Sequence, residues 1–208
     1  MALNPKLAGL KLPATGTVAG GLQTPHTLEL YLDYVCPFSA KLFITFHTHV
    51  RPIIAEKYAS KLQVIFRPHV QPWHPSSTLV HEAAVAVLRI APEKFWEFSE
   101  ALFKKQTEYF DEAVVDETRN QTYKRLAALA GSVGIDEGKV YELLEVKNGE
   151  PRNAGNQVSN DFKFIIKANR VIGVHVSPTI FFDGVEEKSI SSSFTADQWA
   201  EWLEKNVV

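Results

Sequence analysis

The chain has 208 residues, of which 45% are hydrophobic, and its 22 basic and 24 acidic residues give a formal charge of −2. This length and apolar content suffice for one domain with a sizeable core, or for one domain with a large insertion. Charges of both signs are scattered along the chain, so no basic stripe predicts a nucleic-acid partner and no polybasic run predicts membrane binding.

The compartment is predicted from two absences. The first 21 residues lack an uninterrupted apolar stretch of signal-peptide length, and no later segment has the ~18 apolar residues of a membrane-spanning helix. Cys36 is the only cysteine, which excludes an internal disulfide and is typical of a reducing compartment. We therefore expect a cytosolic protein.

The N-terminal region is predicted to be irregular and to lead into a strand. Residues 1–25 contain several prolines and a glycine pair, which favour an extended arm with little regular structure. Leu28, Leu30 and Leu32 then alternate with more polar residues. This period of two indicates a strand with one buried face.

A helix is predicted to begin directly after this strand, at Cys36. Pro37 follows the cysteine, and its fixed φ and missing N–H suit the first turn of a helix. At a helix N-terminus the unpaired N–H groups and the helix dipole favour a thiolate, and Ser39 can add a hydroxyl donor. The alternative is an inert buried cysteine that acts as a small hydrophobe. We favour a nucleophilic sulfur.

A second strand is predicted over residues 61–70. Because a helix separates it from the first strand, the two strands should run parallel. Pro52 lies inside the helical pattern, where it should kink or break the helix because it removes a backbone donor.

The loop over residues 71–77 follows the second strand and contains Trp73 and His74. Loops that leave the C-terminal ends of parallel strands gather at one edge of a sheet, so this loop should lie near Cys36. Trp73 and His74 are therefore candidates for a wall of a substrate site. The alternative is that Trp73 only plugs the junction to the next segment.

The pattern becomes helical from residue 78 to about residue 169. Residues 79–88 are apolar nearly all round, which indicates a buried central helix. An aromatic stripe over residues 95–103 at helical spacing predicts core packing and not a cofactor site. Further helices, bounded by capping residues or glycines, are predicted over residues 117–130, 137–146 and 155–169.

The last part of the chain is predicted to return to the sheet. Residues 173–183 lead into a hairpin turn at Asp183-Gly184 and a strand over residues 185–190. Thr195 and Gln198 have the spacing of a capping box, which predicts a closing helix. Its apolar face is formed by Trp199, Trp202 and Leu203.

Two motifs carry a resemblance to a known family. Cys36-Pro37-Phe38-Ser39 resembles the active-site motif of thioredoxin-fold proteins, in which a second cysteine stands where this chain has Ser39. Ser177-Pro178-Thr179, before a strand, resembles their cis-proline loop. With a helical segment between the motifs, the arrangement is similar to the DsbA family, and glutathione transferases of the kappa class share that architecture.

The resemblance implies an α/β thioredoxin-like fold with an inserted all-helical domain. It places the thioredoxin-like domain at residues 26–76 and 170–208, and the helical insertion at 77–169. It also implies a cis bond before Pro178 and catalytic roles for Cys36 and Ser39. The substrate would contact a groove formed by Pro37, Phe38, Trp73, His74, Val176, Ser177 and Pro178.

Three functions remain open at this point. The first is a monothiol thiol–disulfide oxidoreductase in which Cys36 forms mixed disulfides with protein thiols or disulfides. Since Ser39 cannot resolve them, an external thiol must do so, and glutathione is one candidate co-substrate. The others are a kappa-like glutathione-dependent transferase or isomerase, and a non-catalytic module that binds extended peptides.

Bound cofactors and metals are not expected. The chain has seven histidines, but no pair has the spacing of a known ligand motif. His47 and His49 are two residues apart on a predicted helix, so they face different directions and cannot chelate one ion together.

Overall fold

The computed structural model describes residues 5–12 and 25–208, and within them one sheet has four strands in the order β2-β1-β3-β4. The strands are β1 (His26–Leu32), β2 (Leu62–Pro68), β3 (Thr179–Phe182) and β4 (Val185–Glu186). β1 pairs parallel with β2 and antiparallel with β3, and β3 pairs antiparallel with β4. The predicted parallel crossover from the first to the second strand is confirmed.

β1 is an inner strand and is buried on both faces, whereas its alternating pattern predicted one buried face. Leu28, Leu30 and Leu32 are fully buried, as expected. On the opposite face Tyr31 is 1% exposed and Glu29 forms a partly buried ion pair with Arg67 of β2. Glu29 is buried because it has this partner, so its polarity gave no sign of burial in the sequence.

The first helix begins where the sequence predicted. It consists of α1 (Pro37–Thr45), a π-helical segment (Phe46–Val50), α2 (Arg51–Ile53) and a second π-helical segment (Ile54–Tyr58). Pro52 does not break it. The Arg51 N–H bonds to the carbonyl of Phe46, five residues back, and this wider turn accommodates the proline that follows.

Six helices follow β2 in the region predicted to be helical. They are α3 (Ser77–Ile90), α4 (Phe95–Lys104), α5 (Asp111–Val114), α6 (Arg119–Ser132), α7 (Glu137–Leu144) and α8 (Ser159–Val171). α3 is the buried central helix and contacts α4, α6, α7 and α8. The short α5 was not predicted. The division of the chain into a thioredoxin-like domain and a separate helical domain stays a prediction.

The aromatic stripe of α4 joins the helical region to the sheet. Phe95 packs edge-on against Phe66 of β2, with ring centroids 5.3 Å apart. Phe103 stacks on Phe43 of α1 at 4.6 Å. These buried contacts confirm the prediction of core packing, and they fix α1 relative to the helical region.

The C-terminal hairpin and helix follow the sequence prediction closely. Asp183 and Gly184, both at positive φ, form the turn between β3 and β4, although β4 is shorter than predicted. Thr195 and Gln198 form the predicted capping box at the start of α9 (Ala196–Asn206). The apolar side of α9 is buried through Trp199, Trp202 and Leu203; Trp202 packs on Phe182 of β3 and Trp199 on Phe46 of the first helix.

The N-terminal region differs from the predicted arm where the structure describes it. Pro5–Leu10 form a 3-10 helix, and Leu7 and Leu10 are buried in the core. The Leu12 N–H donates to the carbonyl of Val64 at 2.9 Å. The segment covers part of the exposed edge of β2, which explains why it is ordered. The rest of the predicted arm, residues 1–4 and 13–24, lies outside the described residues.

Candidate active site

Cys36 lies at the junction of β1 and α1, as predicted. It is the N-cap residue of α1, with extended backbone angles, and Pro37 is the first helical residue. Its N–H donates to the carbonyl of Asp33 at 3.1 Å. The side chain is a free thiol and is 5% exposed. Its sulfur is therefore placed at the end of α1 where backbone N–H groups are unpaired.

The structure brings the two sequence motifs together. Cys36 Sγ donates to the carbonyl oxygen of Ser177 at 3.5 Å, although 141 residues separate them in the chain. The Ser177–Pro178 peptide bond is cis. The carbonyl of Val176 accepts a hydrogen bond from the Thr179 hydroxyl at 2.8 Å. The Val176 carbonyl thus has a partner within the loop, and the Ser177 carbonyl faces the sulfur.

Ser39 does not have the contact that the sequence suggested. It is fully buried, and its Oγ accepts a hydrogen bond from the N–H of Asp33 at 3.2 Å. This bond ties the first turn of α1 to the loop before Cys36. A direct role for the Ser39 hydroxyl at the sulfur stays a prediction.

Gln106 holds the cysteine loop from the side of the helical region. It lies on a 3-10 turn after α4, and its Nε2 donates to the carbonyls of Tyr34 and Cys36 at 2.8 and 3.3 Å. Tyr34 is also fixed through its hydroxyl, which is 2.7 Å from Ser99 Oγ. This contact was not predicted, because Gln106 follows an apolar helix and belongs to no motif.

Asp33 is the centre of a buried hydrogen-bond network beneath Cys36. Its Oδ1 accepts from the N–H of Val35 at 3.1 Å and the hydroxyl of Ser77 at 2.9 Å. Its Oδ2 accepts from the N–H of Gln71 at 3.1 Å and Nδ1 of His74 at 2.9 Å. The carboxylate thus joins the loop after β1 to the loop after β2. The sequence analysis did not identify Asp33 as a site residue, although a carboxylate directly after an apolar strand could have indicated one.

Asp33 is ionised at neutral pH. Burial alone would raise the pKa of Asp33, but contact with His81, together with hydrogen bonds from His74 and the Val35 N–H, lowers it to about 2. His81 lies on α3, is fully buried, and places Nε2 3.5 Å from Asp33 Oδ1. Two imidazoles therefore face one carboxylate, a convergence that the spacing of the histidines did not reveal.

The predicted substrate walls lie at the surface near Cys36. Phe38 is 63% exposed, Trp73 61% and Val176 55%. The indole of Trp73 is therefore accessible, and its role as a substrate wall stays a prediction. Exposed apolar side chains beside a buried sulfur are suited to contact a ligand.

Two clefts of opposite character flank the cysteine loop. We call the first the acidic cleft; its volume is about 230 Å³ and it is lined by Val35, Pro37, His74, Tyr109, Asp111 and Glu112, among others. The second, the basic cleft, has a volume of about 290 Å³ and is lined by His69, Gln71, Trp73, Arg170, Val174 and His175, among others. Trp73 and His74 thus face different clefts although they are adjacent in sequence.

Metal ligands are not grouped in the part of the chain that the structure describes. No cluster of three or more histidine, cysteine, aspartate or glutamate side chains could hold an ion among residues 5–12 and 25–208. Within the same residues, no helix is long and apolar enough to cross a membrane.

The sequence is similar to those of known proteins. A family model described as Thioredoxin matches residues 13–205. The chain is also 26% identical to Disulfide bond formation protein D of Bacillus subtilis (strain 168) over 191 residues, which cover 91% of this chain and 76% of that protein.

Solved structures show the same fold. A candidate protein-disulfide isomerase from Pseudomonas syringae superposes with a TM-score of 0.70 at 21% identity and covers 95% of this chain and 99% of its own. BdbD from Bacillus subtilis superposes with a TM-score of 0.61 at 23% identity, covering 97% and 94%. MdbA, a thiol–disulfide oxidoreductase from Actinomyces oris, gives 0.63 at 17% identity, covering 88% and 82%. The predicted thioredoxin-like fold is confirmed.

The predicted cytosolic location is wrong. The similar curated protein is named for disulfide bond formation, and disulfides form and persist in oxidising compartments, not in the cytosol. The prediction failed because a chain with one cysteine cannot form an internal disulfide in any compartment, so that absence carries no information about redox surroundings.

Proposed function

The chain belongs to the Thioredoxin family, whose model spans nearly all of it, and from this premise we propose that it is a DsbA-like thiol–disulfide oxidoreductase with Cys36 as nucleophile. Its relatives by sequence and fold include a disulfide bond formation protein and a thiol–disulfide oxidoreductase. The chemistry requires one activated sulfur and a surface that presents a second sulfur to it.

One observation carries the proposal: the thiol at the N-terminus of α1 is 3.5 Å from the Ser177 carbonyl. The sulfur lies where the first backbone N–H groups of α1 are unpaired, and a sulfur anion is the form that attacks disulfides. Once the thiol has lost its proton, the Ser177 carbonyl is free to accept a hydrogen bond from the backbone of an extended substrate. The contact therefore places the cis-proline loop beside the sulfur, where that loop can position a substrate chain.

The first step is attack on a substrate disulfide. The Cys36 thiolate forms a bond to one substrate sulfur, the substrate S–S bond breaks, and the electron pair leaves with the second sulfur as a thiolate. The product is a mixed disulfide between Cys36 and the substrate. Phe38, Trp73 and Val176 would cover the apolar part of the bound chain.

The second step needs a thiol from outside the chain. The sequence has one cysteine, and Ser39 stands where a resolving cysteine would be. A small external thiolate, for which glutathione is the candidate, attacks the mixed disulfide and releases Cys36 as a thiolate. The external thiol and the substrate sulfur then share the new disulfide, so no net oxidant is consumed in this exchange.

Intact-mass spectrometry tests the proposal. After incubation with glutathione disulfide, we expect one glutathione adduct on Cys36 that is removed by reduced glutathione, and no adduct on a Cys36→Ser variant. Urea-unfolded protein is the control, because an unfolded thiol remains chemically competent. If unfolded protein forms the adduct and folded protein does not, Cys36 is an inert buried residue and the protein is a binding module at most.

A further inference from the structure

Of the described residues, Arg170 is the one permanently charged side chain in the lining of the basic cleft. Arg170, near the end of α8, is exposed at its rim, and no carboxylate pairs with it among residues 5–12 and 25–208. In that same part of the chain, no acidic residue lines the cleft. An Arg side chain in this position presents a planar fork of donors that matches a carboxylate.

The floor of the basic cleft carries polar groups without partners. Gln71 is 1% exposed, and neither its amide nitrogen nor its amide oxygen has a hydrogen-bond partner in the described residues. Nε2 of His69 is also buried without a partner. Burial lowers the pKa of His69 to about 4, so this imidazole is neutral at pH 7. A side-chain amide that can donate and accept is the natural partner of a peptide group.

Two short paths link the wall of the basic cleft to the loop that carries the sulfur. His175 and Val174 in its wall precede Ser177 by two and three residues, and the Ser177 carbonyl contacts Cys36 Sγ. Two residues of chain span at most about 7 Å. Gln71 is bonded through its N–H to Asp33, whose own carbonyl accepts from the Cys36 N–H. A ligand of a few residues can therefore occupy the cleft and reach the sulfur.

The acidic cleft cannot serve the same ligand. Asp111 and Glu112 lie in its wall, and in the described residues neither carboxylate has a cationic partner. Like charges would repel an anionic ligand there. We therefore expect an anionic ligand in the basic cleft and not in the acidic cleft.

We propose that the basic cleft binds the carboxylate and peptide amide of a small peptide thiol or disulfide whose sulfur exchanges with Cys36, with Arg170 as the carboxylate contact. This inference rests on the oxidoreductase function proposed above and names the class of its external thiol. The bond changes are those of the two exchange steps. Trp73 and Val174 supply the apolar surface beside the ligand's backbone.

The test compares two disulfides that differ only in charge. Glutathione disulfide carries free carboxylates, whereas the disulfide of glutathione diethyl ester has both carboxylates of each half esterified and keeps the same amides and sulfurs. We measure the second-order rate of adduct formation on Cys36 by intact mass. The native protein should react about fivefold faster with glutathione disulfide than with the ester, the upper end for an exposed ion pair.

Two variants on α8 separate a specific contact from general attraction. Arg170→Ala should abolish the preference for the free carboxylates, so that the two disulfides react at equal rates with this variant. Lys163→Ala is the matched control, because Lys163 is an exposed cation of the same helix that does not line the cleft, and it should keep the preference. Equal rates with the two disulfides in the native protein, or equal effects of the two variants, would overturn the inference while adducts on Cys36 still support the oxidoreductase. Absence of adducts with either disulfide would overturn both.

Discussion

Replacing Asp33 by Asn should remove a charge that stabilises the active-site loops. The pKa of Asp33 falls from an ordinary value of 3.8 to about 2 in the folded protein, because hydrogen bonds and the facing imidazoles outweigh the effect of burial. Lowering a pKa by one unit on folding stabilises the folded protein by about 1.4 kcal/mol. The lowered pKa of Asp33 therefore contributes about 2 kcal/mol to the free energy of unfolding at neutral pH.

The contribution has a defined pH dependence. Because the pKa is lower in the folded chain than in the unfolded chain, the stabilisation is complete well above pH 3.8 and is lost as the pH falls towards 2. About half of it should remain at pH 3. The groups that face the carboxylate are His74 from the loop after β2 and His81 from α3, and both stay in place in the Asn variant.

Urea denaturation at pH 6 and pH 3 measures this difference. The gap in the free energy of unfolding between native protein and Asp33→Asn should be at least about 2 kcal/mol at pH 6 and should shrink by about 1 kcal/mol at pH 3. Asp116→Asn is the control, since Asp116 is an exposed carboxylate, and its gap should stay near zero. A gap for Asp33→Asn that is small or independent of pH would refute the role of the buried charge.

Three further substitutions test other contacts. Gln106→Leu should lower the free energy of unfolding by about 1–3 kcal/mol, since it leaves the buried carbonyls of Tyr34 and Cys36 without their donor; urea denaturation measures it. Ser39→Cys should form a disulfide with Cys36, because the two positions are one helical turn apart. Thiol counting after oxidation measures this, and two remaining free thiols would show that the geometry is wrong. Leu10→Ala should cost about 2–5 kcal/mol in thermal or urea unfolding, whereas an unpacked N-terminal segment would show no loss.

The sequence predicted those features of the fold whose causes are local. The start of α1 at Cys36 depends on Pro37 next to it, and the start of α9 depends on the capping pair Thr195 and Gln198. Such signals lie within one helical turn of the residue that they affect. They can therefore be recognised in the sequence without knowledge of the tertiary structure.

The contacts that build the site were not predictable in this way. Asp33 meets His74 and His81 across 41 and 48 residues of chain, and Gln106 reaches Cys36 across 70. None of these pairs has a spacing rule, because their meeting depends on how α3 and α4 pack on the sheet. The prediction of an irregular arm was wrong for residues 5–12 for a related reason. Leu7 and Leu10 are buried because the edge of β2 is available to this segment.

The central claim is that the folded protein makes the Cys36 thiol a better nucleophile although it buries the side chain. The most direct measurement is the second-order rate of reaction between Cys36 and an aromatic disulfide at pH 7, for folded protein and for protein unfolded in urea. Folded protein should react faster, because Phe38, two residues from Cys36 and 63% exposed, offers an apolar contact that holds the aromatic disulfide beside the sulfur. A slower reaction in the folded protein would contradict the account and identify Cys36 as a structural residue.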